Sequence, residues 1–131
     1  MWQTVLFAKA RFRYDGLWVD ENWPNMTVKV KNIFHDLPEL SDQEELSILF
    51  QKPCATSERI VSQSHSSPPG FWYDQDEDEW AIVLRGDATL EFERGDFVRM
   101  KEGDYVTIPR HVKHRVHQTG PETIWLAVRI R

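Results

Sequence analysis

From residue 57 onward the chain reverses direction at short, even intervals. Turn pairs stand at Gly86-Asp87, Gly95-Asp96, Gly103-Asp104 and Gly120-Pro121. Between and before them lie ERIVSQS, EWAIVLRG, ATLEFE, FVRMK, YVTIP, HRVHQ and TIWLAVRIR. These runs are short, rich in β-branched and aromatic residues, and bounded by glycine. That is a strand pattern, because a helix needs a longer uninterrupted period. About seven or eight such strands close most readily as an antiparallel barrel or sandwich.

Upstream, two further elements are expected. LSDQEELSILF reads as a short helix: Ser41 is a good N-cap, Glu44 completes a capping box, and Leu46, Leu49 and Phe50 fall on one face. Pro53 ends it. MTVKVKNIF alternates like a strand from Met26 to Phe34. Residues 1–25 differ in composition, being rich in Trp, Arg and Phe, and read as an N-terminal extension before a domain over 26–131. They are either an extra edge strand or sequence ahead of a start at Met26.

Composition narrows the function. The chain has 131 residues and a formal net charge of -5, which suits one domain and argues against nucleic acid as the main partner. One cysteine, Cys54, allows no internal disulfide, and burial beside Pro53 is its simplest role. No apolar run approaches the ~20 residues of a membrane span, and the first residues lack signal-peptide order. A cytoplasmic protein is the expectation.

The stretch GFWYDQDEDEWAIVLRG crowds acidic groups against an apolar strand. Read as an extended segment, it puts Tyr73, Gln75 and Glu79 on one face and Asp74, Asp76 and Asp78 on the other, toward water. A bulge between residues 75 and 79 would upset that parity. If Glu79 faces inward, so do Ala81 and Val83, while Trp80, Ile82 and Leu84 need cover on the outer side. DQDEDE begins like a calcium loop, but Glu79 stands where glycine is needed and Arg85 where glutamate is needed.

The second half resembles the cupins, small jelly-roll barrels with two sequence motifs. Gly70 opens the first, Glu79 takes the place of its glutamate, and Gly86 closes it. In the second, Gly103, Pro109 and His114 fall in step, while His111 and Gln118 replace the usual glycine and asparagine. The resemblance spans residues 57–131, with the motifs inside 70–118. It implies an all-β antiparallel jelly-roll barrel, here with one short N-terminal helix. Common cupins hold a divalent metal with three histidines and a glutamate. Here Tyr73 and Gln75 stand where two of those histidines belong, as in small single-domain bacterial cupins with an altered first motif.

The resemblance thus implies a divalent metal (Zn, Mn, Fe or Ni) on Glu79 and His114, helped by Tyr73 and Gln75. Trp72, His111 and Gln118 are expected around the pocket. On a strand His114 opposes His111 and His117, so only His114 faces the cavity. Metal-assisted dioxygenation, isomerisation or lyase chemistry on a small organic substrate is one reading, with Glu79 a base if unligated. A metal-free module that binds or senses a small polar molecule is the other. The family also implies a homodimer.

Overall fold

The computed structural model describes residues 29–131, together with a pairing of β1 (Arg13–Tyr14) with β2 (Leu17–Trp18). The chain divides into two compact units, Met1–Asn32 and Ile33–Arg131. The expected extension over 1–25 lies otherwise outside the described residues. Residues 29–34 form no strand, and Val30 is exposed, so the strand expected from Met26 is absent from the part that can be seen.

In the second unit the strands are β3 (Glu45–Lys52), β4 (Ala55–Ser62), β5 (Asp78–Arg85), β6 (Asp87–Phe92), β7 (Phe97–Lys101), β8 (Tyr105–Ile108), β9 (His114–Thr119) and β10 (Thr123–Ile130). They build two antiparallel sheets, ordered β3-β4-β10-β5-β8 and β7-β6-β9. The seven runs read as strands all occur, within a few residues at their ends.

There is no helix among the described residues. The segment read as one is β3, paired with β4 from Glu45↔Val61 to Lys52↔Ala55. Leu46, Leu49 and Phe50 do recur at helical spacing, yet an irregularity between Ile48 and Phe50 slips one residue into the strand and mimics that period. Ser41 is not an N-cap: its Oγ accepts from Gln43 N at 3.1 Å, two residues on, in a local turn. Cys54 is exposed in the turn between β3 and β4, not buried.

The core lies between the sheets and is formed by Ala81, Val83, Ala88, Leu90, Met100, Ile108, Trp125 and Ala127. Alternation along β5 and β10 puts Ala81, Val83, Trp125 and Ala127 inward. On the outer side Trp80, Ile82 and Leu84 are half-buried, and Trp80 meets Tyr105 at 5.7 Å between ring centroids. Arg59, also on that side, is 8% exposed because residues 33–36 fold over it. Its guanidinium donates to the carbonyls of Ile33 (3.2 Å), His35 (2.8 Å) and Asp36 (3.2 Å), and to Glu45 at 3.0 Å. A buried charge held this way satisfies donors that would otherwise be costly.

The turn from β5 to β6 requires glycine. Gly86 has φ +81°, and a Cβ there would overlap the Glu122 carbonyl oxygen.

Candidate functional site

One end of the barrel opens into a cavity of about 100 Å³. At ~10–15 Å³ per water this holds several waters or a small organic group. Its lower wall is apolar, with Ile60, Ala81, Leu90, Ile108, Val116 and Trp125. Its polar side chains are Glu44, Glu58, Tyr73, Gln75, Glu79, His114 and Arg129.

The four residues expected as ligands therefore share one cavity. Glu79 reaches it from β5, one pleat before Ala81. His114 enters at the start of β9, and Tyr73 lies beside it through an isolated bridge. Despite the bends at residues 76–77, Tyr73, Gln75 and Glu79 all line the cavity, while Asp74 and Asp76 face water. Asp78 also points out and binds Arg110, whose backbone N–H (2.9 Å) and guanidinium (3.3 Å) both donate to it. That contact, through the side-chain bond first, holds the Asp78 carboxyl below its usual range.

His114 is buried, and its orientation is fixed. Nδ1 lies 3.0 Å from the Val112 carbonyl, which can only accept, so Nδ1 carries the proton. Nε2, on the other side of the ring, faces Glu79 Oε2 at 3.8 Å. With side chains 6% and 15% exposed, the two groups either form an ion pair or, with a neutral ring, present two acceptors to a cation or a donor. Gln75 Oε1 adds a third acceptor, buried without a partner.

Tyr73 differs from these three. Burial, with the carboxylates of Glu44 and Glu79, pushes its phenol above the ordinary value of 10.0. It remains a protonated donor at neutral pH rather than an anionic ligand.

A resident metal can be tested against this set. A backbone carbonyl orienting a histidine whose other nitrogen is free is the usual support for a ligating imidazole. Glu79, His114 and the Gln75 amide oxygen suit a divalent cation that keeps water ligands. Among the described residues no three His, Cys, Asp or Glu side chains come together as a metal-holding group. The donors fit a loosely held ion and not a closed structural site.

The other expected pocket residues lie elsewhere. Trp72 sits under the Arg115 guanidinium at 5.8 Å, His111 pairs with Asp74 at 3.1 Å on the surface, and Gln118 lines a shallow outer groove with Thr89 and Arg99. None of the three lines the cavity. Three cavity residues were not foreseen. Glu44 resembled a capping residue, but it faces the cavity and accepts from Ser62 Oγ at 2.6 Å. Glu58 and Arg129 form an ion pair across β4 and β10. Their signal was present in the alternation Glu58–Ile60 and Trp125–Ala127–Arg129.

The double-sheet β fold is shared with solved structures of similar proteins. Residues 60–128 match the cupin domain family. The chain belongs to that family. A protein from Ralstonia eutropha JMP134, provisionally assigned as a mannose-6-phosphate isomerase, is 39% identical, with a TM-score of 0.75 over 79% of this chain and 98% of that one. An RmlC-like cupin with a double-stranded β-helix fold from Methanocaldococcus jannaschii shares the fold at 19% identity, with a TM-score of 0.62 over 80% of this chain and 92% of that one. A cupin superfamily protein from Desulfitobacterium hafniense DCB-2 does so at 15% identity, with a TM-score of 0.62 over 72% and 83%. No curated protein matches the sequence. No helix among the described residues is long and apolar enough to cross a membrane.

Proposed function

We propose that the cavity is an active site for a small organic molecule, with a divalent cation held by Glu79, His114 and Gln75. Isomerisation by proton transfer is the reaction class. The observation that carries this reading is the convergence of His114 Nε2 and Glu79 Oε2, 3.8 Å apart with both side chains largely buried. The isomerase assignment of the Ralstonia eutropha protein supports the reaction class.

When bound, the cation would polarise a substrate carbonyl. The chain supplies the rest. Tyr73, protonated by its surroundings, donates to a substrate oxygen. Glu44 has one oxygen held by Ser62 and is left to take a proton from the hydroxyl-bearing carbon beside the carbonyl and return it to the former carbonyl carbon, while Tyr73 gives its proton to the carbonyl oxygen and takes up that of the hydroxyl. The apolar wall of Leu90, Ile108 and Trp125 limits water around the reacting atoms.

The competing reading is a metal-free binding module, favoured by the small number of strong donors. Metal analysis of untagged protein separates the two. The active-site reading expects near one metal per chain, lowered in Glu79→Ala and His114→Ala, and solvent deuterium entering the carbon-bound position of an aldose. Metal-free protein whose Tm does not respond to Zn²⁺, Mn²⁺, Fe²⁺ or Ni²⁺ establishes the binding module instead.

A further inference from the structure

The charged lining of the cavity restricts which small molecule it takes, an inference that rests on the small-molecule reading above. Three carboxylates face the space, Glu44, Glu58 and Glu79, against one guanidinium, Arg129. That guanidinium is ion-paired: its Nη2 donates to Glu58, whose side chain is 9% exposed, and its Nε is buried without a partner. The two residues sit on neighbouring paired strands, so the backbone register holds them together. Three carboxylates against one guanidinium leave the lining with an excess of two acidic groups.

A phosphate site is built from free Arg or Lys side chains, successive backbone N–H groups or a helix N-terminus. Among the described residues the one cationic side chain of the cavity is ion-paired to Glu58, and there is no helix. A divalent ion on Glu79 would at best bring the lining to neutrality, and it would add no N–H donor. Of the remaining polar groups, Glu44, Glu79 and Gln75 Oε1 are acceptors, against the Tyr73 hydroxyl and the Arg129 Nε–H as donors. Acceptors are satisfied by hydroxyl groups. We infer that the cavity takes a polyhydroxylated molecule bearing no phosphate or carboxylate. Glu58 enforces this by neutralising Arg129. The ligand class therefore differs from the phosphorylated sugar in the name of the Ralstonia eutropha protein.

The test is a calorimetric and thermal-shift comparison of D-mannose, D-mannitol, mannose 6-phosphate and inorganic phosphate on the Mn²⁺-treated full chain. The expected result is that mannose or mannitol binds at least about ten-fold more tightly than mannose 6-phosphate, because like charges oppose the latter. Glu58→Gln, which frees Arg129, should shrink that ratio by about ten-fold. If Glu58→Gln does not fold, wild-type protein answers the same question. Raising salt from about 0.05 M to about 0.5 M should narrow the discrimination by screening. Equal or tighter binding of mannose 6-phosphate overturns the inference, as does a panel in which nothing binds. Selectivity that survives in protein unable to hold metal sinks the metal reading alone. A preference for mannose 6-phosphate on metal-loaded protein sinks this inference alone.

Discussion

Tyr73 and His114 exchange both backbone hydrogen bonds, at 2.8 and 3.2 Å, while their rings stack with centroids 5.5 Å apart. The loop before β5 and the start of β9 are thereby locked to each other at the cavity. The phenol pays for this position by losing water, since burial and the carboxylates of Glu44 and Glu79 raise its pKa above 10.0. A raised folded-state value means that the protonated phenol contributes stability below pH 10.0, which is lost as pH rises through the folded value. Thermal melts in the alkaline range should therefore fall less steeply for Tyr73→Phe than for wild type. At neutral pH the same variant should lose less than about 1 kcal/mol, because only a hydroxyl is removed. Equal alkaline slopes would remove the argument that Tyr73 is a neutral donor.

Asp78 gives the opposite sign. Arg110 depresses its pKa below the ordinary 3.8, so the pair contributes stability above that value and loses it as pH falls through the folded value. Wild-type Tm should drop more steeply than that of Asp78→Asn below about pH 4. Because both groups are exposed, about 0.5 M salt should reduce the difference.

Gly86 and Gly103 make a matched pair. Both have positive φ, +81° and +86°, but only at Gly86 would a Cβ collide with backbone. Alanine at either costs conformational strain of about 1 kcal/mol. Denaturant titration should show Gly86→Ala losing clearly more than Gly103→Ala, and similar losses would show that the Glu122 carbonyl yields.

Arg59 should behave as a buried, multiply bonded charge. Arg59→Ala leaves three carbonyls and Glu45 without their donor, and a loss of about 3 kcal/mol is expected in urea melts. Arg59→Met keeps the apolar stem and should recover part of it. A loss below about 0.5 kcal/mol in Arg59→Ala would mean that residues 33–36 are held by something else.

The strands from Asp78 to Ile130 were readable because glycine turns fix their ends and alternation fixes their faces. The pairing of Glu79 with His114 was readable because two motif spacings point to one cavity. Glu44, Glu58 and Arg129 were harder to see. Glu44 reads as a capping charge, and alternation puts Glu58 in step with Ile60 and Arg129 with Trp125 and Ala127, but only pairing across β3, β4 and β10 shows that this face is the inner one. β3 was misread for a related reason: one slipped residue converts a period of two into an apparent helical face. Its strand state comes from partners contributed by β4, which local propensity does not encode.

Among the described residues β3 is hydrogen-bonded on one side only, yet it follows directly from Glu44 and carries Leu46, both part of the cavity wall. An edge strand detaches more easily than a central one. The amide protons of this strand should accordingly be the first of the barrel to trade with solvent. The vestibule can then widen by peeling back that single margin, with β5, which bears Glu79 three places along the same sheet, left undisturbed.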